Sequence, residues 1–257
     1  MNKIFLNQGY VKKKNFLNNR EKKDILKIIY ETFSKEIKIS NKKKFSIEDK
    51  EFHEKLIDLR KKNPKKFGDI YDRLNLNAKL RSLFYSKKFL KIFAKILNIK
   101  TENIFLNGFM LRLDAPNDRR NTLDWHQDSS YYLQTYPKMN AGVCWVSITK
   151  NSKNNGALIF LPKSNSKFIK KTKRKWENKS SSENLTIKIS SNELKSKKHL
   201  DQIFGDVFFL HMNVKHRSGI NKSNKFRITF GCRFHEINDK FNTGKEIYKF
   251  NQKVNLI

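Results

Sequence analysis

The chain has 257 residues, which is enough for one large domain that buries about three-quarters of its unfolded surface. Its two cysteines, Cys144 and Cys232, lie in apolar stretches, which predicts buried free thiols and excludes a disulfide framework or a cysteine-based zinc site. No stretch approaches the roughly 18 apolar residues of a membrane span, and the first residues lack the apolar core of a signal peptide. We therefore expect a cytoplasmic protein with no membrane partner.

The formal charge of +32 is large but is carried mainly by lysine, which supplies 45 of the 56 basic residues. Proteins that read nucleic acids usually rely on arginine for base and phosphate contacts. Residues 101–150 hold five basic and five acidic side chains, whereas residues 151–200 hold 13 basic and three acidic. We interpret the excess as a solvated lysine surface typical of an AT-rich genome and expect no nucleic-acid partner, although a functional anion-binding surface stays open.

The first hundred residues are predicted to be mainly helical. A short extended segment is expected around Tyr10, and apolar residues at helical spacing then predict a helix over 21–37. A second helix is predicted over about 47–61, ending before Pro64, and a third over 78–97 with a broad apolar face.

After residue 100 the pattern changes to short segments rich in β-branched and aromatic residues, bounded by turn-forming residues. These predicted strands lie at 104–114, 141–150, 156–162, 205–216 and 226–237. Helices followed by several short strands indicate an α+β fold, with a β-sandwich or barrel backed by the N-terminal helices.

We expect one domain over residues 1–257, with helical support over about 1–100 and the barrel over 101–237. Within the barrel, residues 165–200 form a polar, lysine-dense insertion. This insertion is consistent with a lid over a barrel mouth and equally with a surface excursion.

One short motif can bind a metal ion. Residues i and i+2 of a strand point to the same side, so His126 and Asp128 can present an imidazole and a carboxylate to one ion. With a second histidine, this set leaves three coordination positions open, the arrangement that suits oxygen-activating ferrous iron. The motif alone is common by chance and needs a distant partner.

The distant partner must be another histidine. His53 lies in a charged helical region and is expected at the solvated surface, while His199 and His235 lie in the insertion and near the end of the last strand. His211 sits in an apolar run, where a hydrogen-bonded core histidine is expected, and His216 lies where that strand ends.

An arginine follows His216 by eleven residues, in the alternating segment 226–234. Arg227 and Arg233 share one face of this predicted strand with small and polar residues, while the other face is apolar. A planar guanidinium can bind the far carboxylate of a 2-oxoacid that chelates iron. Two solvent-facing arginines on an edge strand would give the same pattern.

Together, these residues resemble the phytanoyl-CoA dioxygenase family of iron(II)- and 2-oxoglutarate-dependent oxygenases. The resemblance rests on the order His-x-Asp, distal His-x-Ser and Arg. It extends to the opening Gly-Tyr-Val segment, to the helix before the barrel and to the Asn-Gly-x-Leu segment, and it covers about residues 5–237. The family's Pro-Gly-Ser-His reads Pro-Lys-Ser-Asn here, at residues 162–165, and residues 165–205 have no counterpart in the resemblance.

The resemblance implies a double-stranded β-helix (a jelly-roll or cupin-like barrel) that uses Fe(II), 2-oxoglutarate as cosubstrate and O2. The metal ligands that it implies are His126, Asp128 and His216. The implied cosubstrate-binding residues are Arg227, Ser218, Trp145 and Met110, and more weakly implied substrate-binding residues are Arg112, Arg217 and Arg233.

The function that follows is hydroxylation of a C–H bond in a small molecule, with release of succinate and CO2. Asp128 favours hydroxylation, since related halogenases have a small residue in its place. Positive charge near the site favours an anionic substrate, and no catalytic residue beyond the metal ligands is required. The alternatives are a basic nucleic-acid-binding protein on a barrel scaffold, an oxygenase acting on a macromolecule, and a metal-dependent hydrolase.

Overall fold

The computed structural model describes residues 1–39, 45–119, 122–130, 140–165, 173–175 and 184–236. Its helices are α1 (Asn2–Gln8), α2 (Asn19–Phe33), α3 (Lys50–Lys62), α4 (Pro64–Asn75), α5 (Ala78–Ser82), α6 (Lys87–Leu97) and α7 (Ser191–Leu194). Short 3₁₀ helices cover Leu83–Tyr85, Thr101–Asn103 and Asp128–Ser130. The strands are β1 (Tyr10–Lys13), β2 (Ile104–Asp114), β3 (Ala141–Ser147), β4 (Ile159–Phe160), β5 (Lys173–Lys175), β6 (Asn184–Thr186), β7 (Lys198–His199), β8 (Val207–His211), β9 (His216–Arg217) and β10 (Arg227–Glu236).

The strands form antiparallel sheets, which confirms the α+β class. The large sheet has the order β1-β8-β3-β10-β2, the small sheet has the order β7-β4-β9, and β5 pairs with β6. Within the described residues, no helix is both long enough and apolar enough to cross a membrane.

The helices cover one face of the large sheet. The even-numbered residues of β10, from Ile228 to Phe234, are buried in the same cluster as the apolar faces of α2, α3, α4 and α6. Phe93 of α6 stacks on Phe234, with ring centroids 4.6 Å apart. The two cysteines lie on this helical side, directly opposite each other on β3 and β10, and both are buried as predicted.

The other face of the large sheet packs against the small sheet. Phe160 of β4 contacts Phe208 of β8, with ring centroids 5.2 Å apart. The odd-numbered residues of β10, Arg227, Thr229, Gly231 and Arg233, belong to this face because side chains alternate along a strand. Because two of these residues are charged and the other two are small, the space between the sheets is where we expect a functional site.

Helix boundaries differ from the predictions at three places. Residues 2–8 form α1 and were not predicted as helix, and α4 begins at Pro64, where a helix end was expected. Proline is favoured at the first position of a helix, so Pro64 marks a start after the N-cap Asn63 as well as a stop. The long helix predicted over 78–97 is interrupted at Ser86, whose side chain caps α6.

The lysine-rich insertion is described only at its ends and in one short strand. Residues 166–172 and 176–183 lie outside the described residues. Glu193 of α7 forms an ion pair with the buried Lys215, the residue before His216. The end of the insertion is therefore anchored beside a predicted metal ligand.

Candidate functional site

Backbone hydrogen bonds join the two segments that carry the predicted metal ligands. The N–H of His126 donates to the carbonyl of His216 at 2.9 Å, and the N–H of His216 donates back at 3.0 Å. Next to this bridge, Ser218 N–H donates to Leu123 O at 2.9 Å, and Leu123 N–H donates to the Ser218 hydroxyl at 3.1 Å. Ligands from distant parts of the chain are thus fixed by main-chain contacts.

The local geometry of the motif differs from the predicted strand. His126 takes part in an isolated β-bridge, but Asp128 begins a 3₁₀ helix. Between them, the fully buried side chain of Gln127 donates to Asn213 O at 2.7 Å. The chain leaves the extended conformation between the two residues, and their side chains still converge.

Both histidines have one ring nitrogen fixed by a backbone carbonyl. The Nδ1 of His126 lies 2.6 Å from Asp124 O, and the Nδ1 of His216 lies 2.9 Å from Val214 O. Since a carbonyl only accepts, Nδ1 carries the proton and Nε2 keeps its lone pair. The two Nε2 atoms lie 3.6 and 3.9 Å from Asp128 Oδ1, and one ligand atom from each residue lies within 4.8 Å of the others.

The protonation states suit metal binding. Burial lowers the pKa of His216 to about 4, so its imidazole is neutral at neutral pH. Burial acts to raise the pKa of Asp128, but the neighbouring groups, first among them the positive charge of Arg233, outweigh it and hold that pKa below its usual value. A neutral imidazole and an ionised carboxylate are donors that suit ferrous iron.

Arg233 lies at the metal end of the site through a local irregularity of the sheet. Its Nη2 is 3.9 Å from Asp128 Oδ1, and its Nη1 donates to Gly108 O at 3.3 Å. The register between β2 and β10 shifts here, and Gly108 has a positive φ of 54°. A Cβ at Gly108 would collide with Arg233 Nη1, the end of a flexible side chain, and the positive φ itself favours glycine at this position.

A cavity adjoins the site, and four predicted residues line it: Arg112, Trp145, Ser218 and Arg227. The Nε1 of Trp145 is buried and has no hydrogen-bond partner. A buried donor facing a cavity fits an acceptor-rich ligand such as 2-oxoglutarate.

The cavity also has a buried ionic cluster that the sequence did not reveal. Arg112 donates to both oxygens of Asp114, at 3.3 and 3.0 Å, and Arg227 donates to Asp114 Oδ2 from Nε at 3.1 Å and from Nη2. Burial raises the pKa of Asp114, but the two arginines outweigh it and lower that pKa. Asp114 lies directly opposite Arg227, a pairing that requires the register of β2 on β10.

The other three predicted residues, Arg233, Met110 and Arg217, lie outside this cavity lining. Met110 is opposite Gly231 in the sheet, and Arg217 donates to Ser218 O at 3.3 Å and lies 3.7 Å from Asp124 Oδ1. Their roles in cosubstrate and substrate binding stay predictions.

The prediction that His53 lies at the solvated surface was wrong. His53 is only 1% exposed, because its Nε2 donates to Ile47 O and its Nδ1 accepts from the N–H of Phe226, beside Arg227. His211 is a buried core histidine, as expected, and accepts a bond from Asn213 N–H at 3.1 Å.

Comparisons with known proteins identify the family. The family model of phytanoyl-CoA dioxygenase (PhyH) matches residues 5–229. A comparison with curated proteins gives no significant match.

Three similar solved structures share the fold. EvdO2 from Micromonospora carbonacea var. aurantiaca, complexed with 2-oxoglutarate, has 14% identity and a TM-score of 0.59 over 93% of this chain and 92% of that chain. EctD from S. alaskensis, with 2-oxoglutarate and 5-hydroxyectoine, has 12% identity and a TM-score of 0.59 over 92% and 75%. The epimerase SnoN, in complex with Fe3+, alpha ketoglutarate and nogalamycin RO, has 14% identity and a TM-score of 0.58 over 94% and 89%.

The family model spans most of the chain, and the His-Asp-His group lies where two bridged segments meet. The chain belongs to the phytanoyl-CoA dioxygenase family and is an iron(II)- and 2-oxoglutarate-dependent dioxygenase.

Proposed function

We propose that His126, Asp128 and His216 hold the iron and that the enzyme hydroxylates a C–H bond of a small, anionic molecule. The observation that carries the assignment is the convergence of two Nε2 atoms and one carboxylate, with both Nδ1 atoms bonded to carbonyls. Iron, 2-oxoglutarate and O2 would supply the oxidative chemistry, in which one oxygen atom of O2 goes to succinate as 2-oxoglutarate loses CO2 and the other oxygen atom enters the C–H bond of the substrate.

The protein's part is to bind, orient and exclude water. The carbonyls of Asp124 and Val214 orient the two imidazoles, and the bridge between His126 and His216 fixes their separation. Arg227 is proposed to bind the distal carboxylate of 2-oxoglutarate, with help from the Ser218 hydroxyl. Its contacts to Asp114 use Nε and Nη2, which leaves the Nη1 side of the guanidinium toward the cavity.

The architecture proposed for this site is a double-stranded β-helix formed by the large and small sheets, within one domain over residues 1–257. Support comes from the family membership and from the packing of Phe160 on Phe208 between the sheets. Trp145, proposed as a wall of the cosubstrate cavity, comes from β3 in the middle of the large sheet.

The proposed substrate is a small molecule, in line with the titles of the EctD and SnoN structures, which name 5-hydroxyectoine and nogalamycin RO for those proteins. The proposal of negative charge rests on Arg233 at the metal end and on Arg217 beside Ser218. Candidate acids and their uncharged amides can be compared by the succinate formation that they stimulate. Stimulation by uncharged compounds alone would contradict an anionic substrate.

The assignment of the metal ligands is tested by anaerobic titration of the apo-protein with Fe(II) and 2-oxoglutarate. A weak visible charge-transfer band is expected, and it should be lost in His126→Ala and strongly reduced in Arg227→Met at the same ligand concentration. An unchanged band in His126→Ala would remove His126 from the ligand set.

A further inference from the structure

Two buried carboxamides lie side by side on the wall of the cosubstrate cavity. Asn151 follows β3 and Gln202 follows β7, and both are 3% exposed. Their backbones form an isolated bridge, with Asn151 N–H donating to Gln202 O at 2.8 Å and Gln202 N–H donating to Asn151 O at 3.1 Å. The bridge fixes both side chains at the cavity.

The carboxamide pair is not satisfied by its own contacts. Asn151 Nδ2 donates to Gln202 Oε1 at 3.3 Å, while Asn151 Oδ1 and Gln202 Nε2 are buried without a hydrogen-bond partner. If both carboxamides were rotated by 180°, one N–H group and one oxygen of the pair would still lack partners. The missing hydrogen-bond partners are therefore a property of the pair and do not depend on how either amide is oriented.

Buried polar atoms without hydrogen-bond partners destabilise a folded protein. A buried polar group without a partner costs about 1–3 kcal/mol, and native proteins have few of them. The backbone bridge would form equally well with apolar side chains at both positions, since it uses main-chain atoms alone. Nothing in the fold of the described residues therefore requires carboxamides here, whereas a ligand in the cavity would use them.

The surroundings indicate which ligand this is. Arg227 and Ser218 line the same cavity, and Trp145 adds a second buried N–H without a partner. The lining is rich in donors and carries the positive charge of the arginines, which suits a carboxylate. None of the three metal ligands is among the lining residues, so the cavity belongs to the cosubstrate's far end.

We propose that Gln202, oriented by Asn151, donates a hydrogen bond to the distal carboxylate of 2-oxoglutarate and is a cosubstrate-specificity residue. This inference rests on the proposed function, in which Arg227 binds that carboxylate. Gln202 adds an uncharged donor that an apolar side chain of the same length cannot supply.

The test is a thermal-shift titration of the Zn(II)-loaded protein with 2-oxoglutarate, since Zn(II) holds the chelate without turnover. Gln202→Met keeps the size of the side chain, and the double variant Asn151→Leu with Gln202→Met removes the whole pair. We expect about a tenfold weaker Kd for 2-oxoglutarate in both, with melting temperatures without cosubstrate equal to or above that of the wild type. Gln202→Glu should weaken binding further, because it places a carboxylate against the ligand.

A structural role would give the opposite pattern. Asn63→Ala, which removes the N-cap of α4 and is not part of the cavity lining, serves as the matched control and should lower the melting temperature while leaving the Kd unchanged. If Gln202→Met lowers the melting temperature and leaves the Kd unchanged, the inference is overturned.

Arg227→Met separates the inference from the proposed function. Weaker binding in Arg227→Met but not in Gln202→Met overturns the role of Gln202 alone. A wild-type protein that 2-oxoglutarate does not stabilise overturns both.

Discussion

The two ends of the site are built differently. At the metal end, short segments are held by main-chain bonds, and the proposed ligands are two imidazoles and one carboxylate. At the arginine end, the long strands β2 and β10 place two guanidinium groups on one carboxylate. Main-chain bonds survive a change of side chain, but a buried ionic cluster does not. Substitutions at the metal end should therefore cost activity, and substitutions at the arginine end should cost stability.

The largest expected effect is a loss of activity caused by a substitution at the metal end alone. His126→Ala removes a proposed ligand but keeps the backbone bridge to His216, so we expect cosubstrate turnover to fall by more than about 100-fold, the upper range for losing a supporting partner. The unfolding free energy without metal should change by less than about 1 kcal/mol. Succinate formation and urea unfolding measure the two quantities. A large loss of stability would mean that the imidazole itself holds the segment.

The next effect concerns the arginine end. Asp114→Asn leaves Arg112 and Arg227 buried without their shared counter-charge, which should cost about 3–5 kcal/mol of unfolding free energy. Arg227→Met should cost less, because Asp114 keeps Arg112. Urea unfolding of both variants checks the order, and equal losses would contradict a shared counter-charge.

Substitution of Gly108 tests whether the metal end contains a strained backbone position. Gly108→Ala places a Cβ against Arg233 Nη1 at a positive φ and should cost about 1–3 kcal/mol. Gly68→Ala, in α4 and with open space around the added Cβ, is the matched control and should be neutral or stabilising. If both substitutions have the same effect, the approach of Arg233 does not require glycine.

The last expected effect is a pH dependence at the arginine end. Burial lowers the pKa of His53 to about 4 from the ordinary value of about 6.5, so the unfolded chain binds a proton in this range that the folded protein does not. Stability from this group is complete above about pH 6.5 and is lost as the pH falls toward 4, by up to about 1.4 kcal/mol per pH unit. His53→Gln should reduce that slope in urea unfolding at several pH values, and an unchanged slope would assign it to other histidines.

The sequence alone was enough to predict the structure where one local pattern of residues determines it. The bounds of β2 were predicted correctly because residues 104–114 combine strand formers with Asp114 and Pro116 at the end. The pattern of β10 placed Arg227 and the apolar residues on opposite faces, as the buried cluster confirms.

The sequence was insufficient where a contact depends on register or on burial by distant elements. The partnership of Asp114 with Arg227 follows from the pairing of β2 with β10, and the burial of His53 follows from the packing of α3 at the start of β10. The pairing of Asn151 with Gln202 joins residues 51 apart along the chain. No periodicity in the sequence marks such pairs.

The position of the two cysteines has a consequence for an enzyme that activates oxygen. Cys144 and Cys232 are fully buried on the helical side of the sheet, and burial raises the pKa of each thiol well above its usual value. Since the thiolate is the form that oxidants attack, these sulfurs stay chemically inert although they lie in the strands that build the site. We therefore expect both thiols to stay unmodified when the enzyme activates O2 without hydroxylating a substrate.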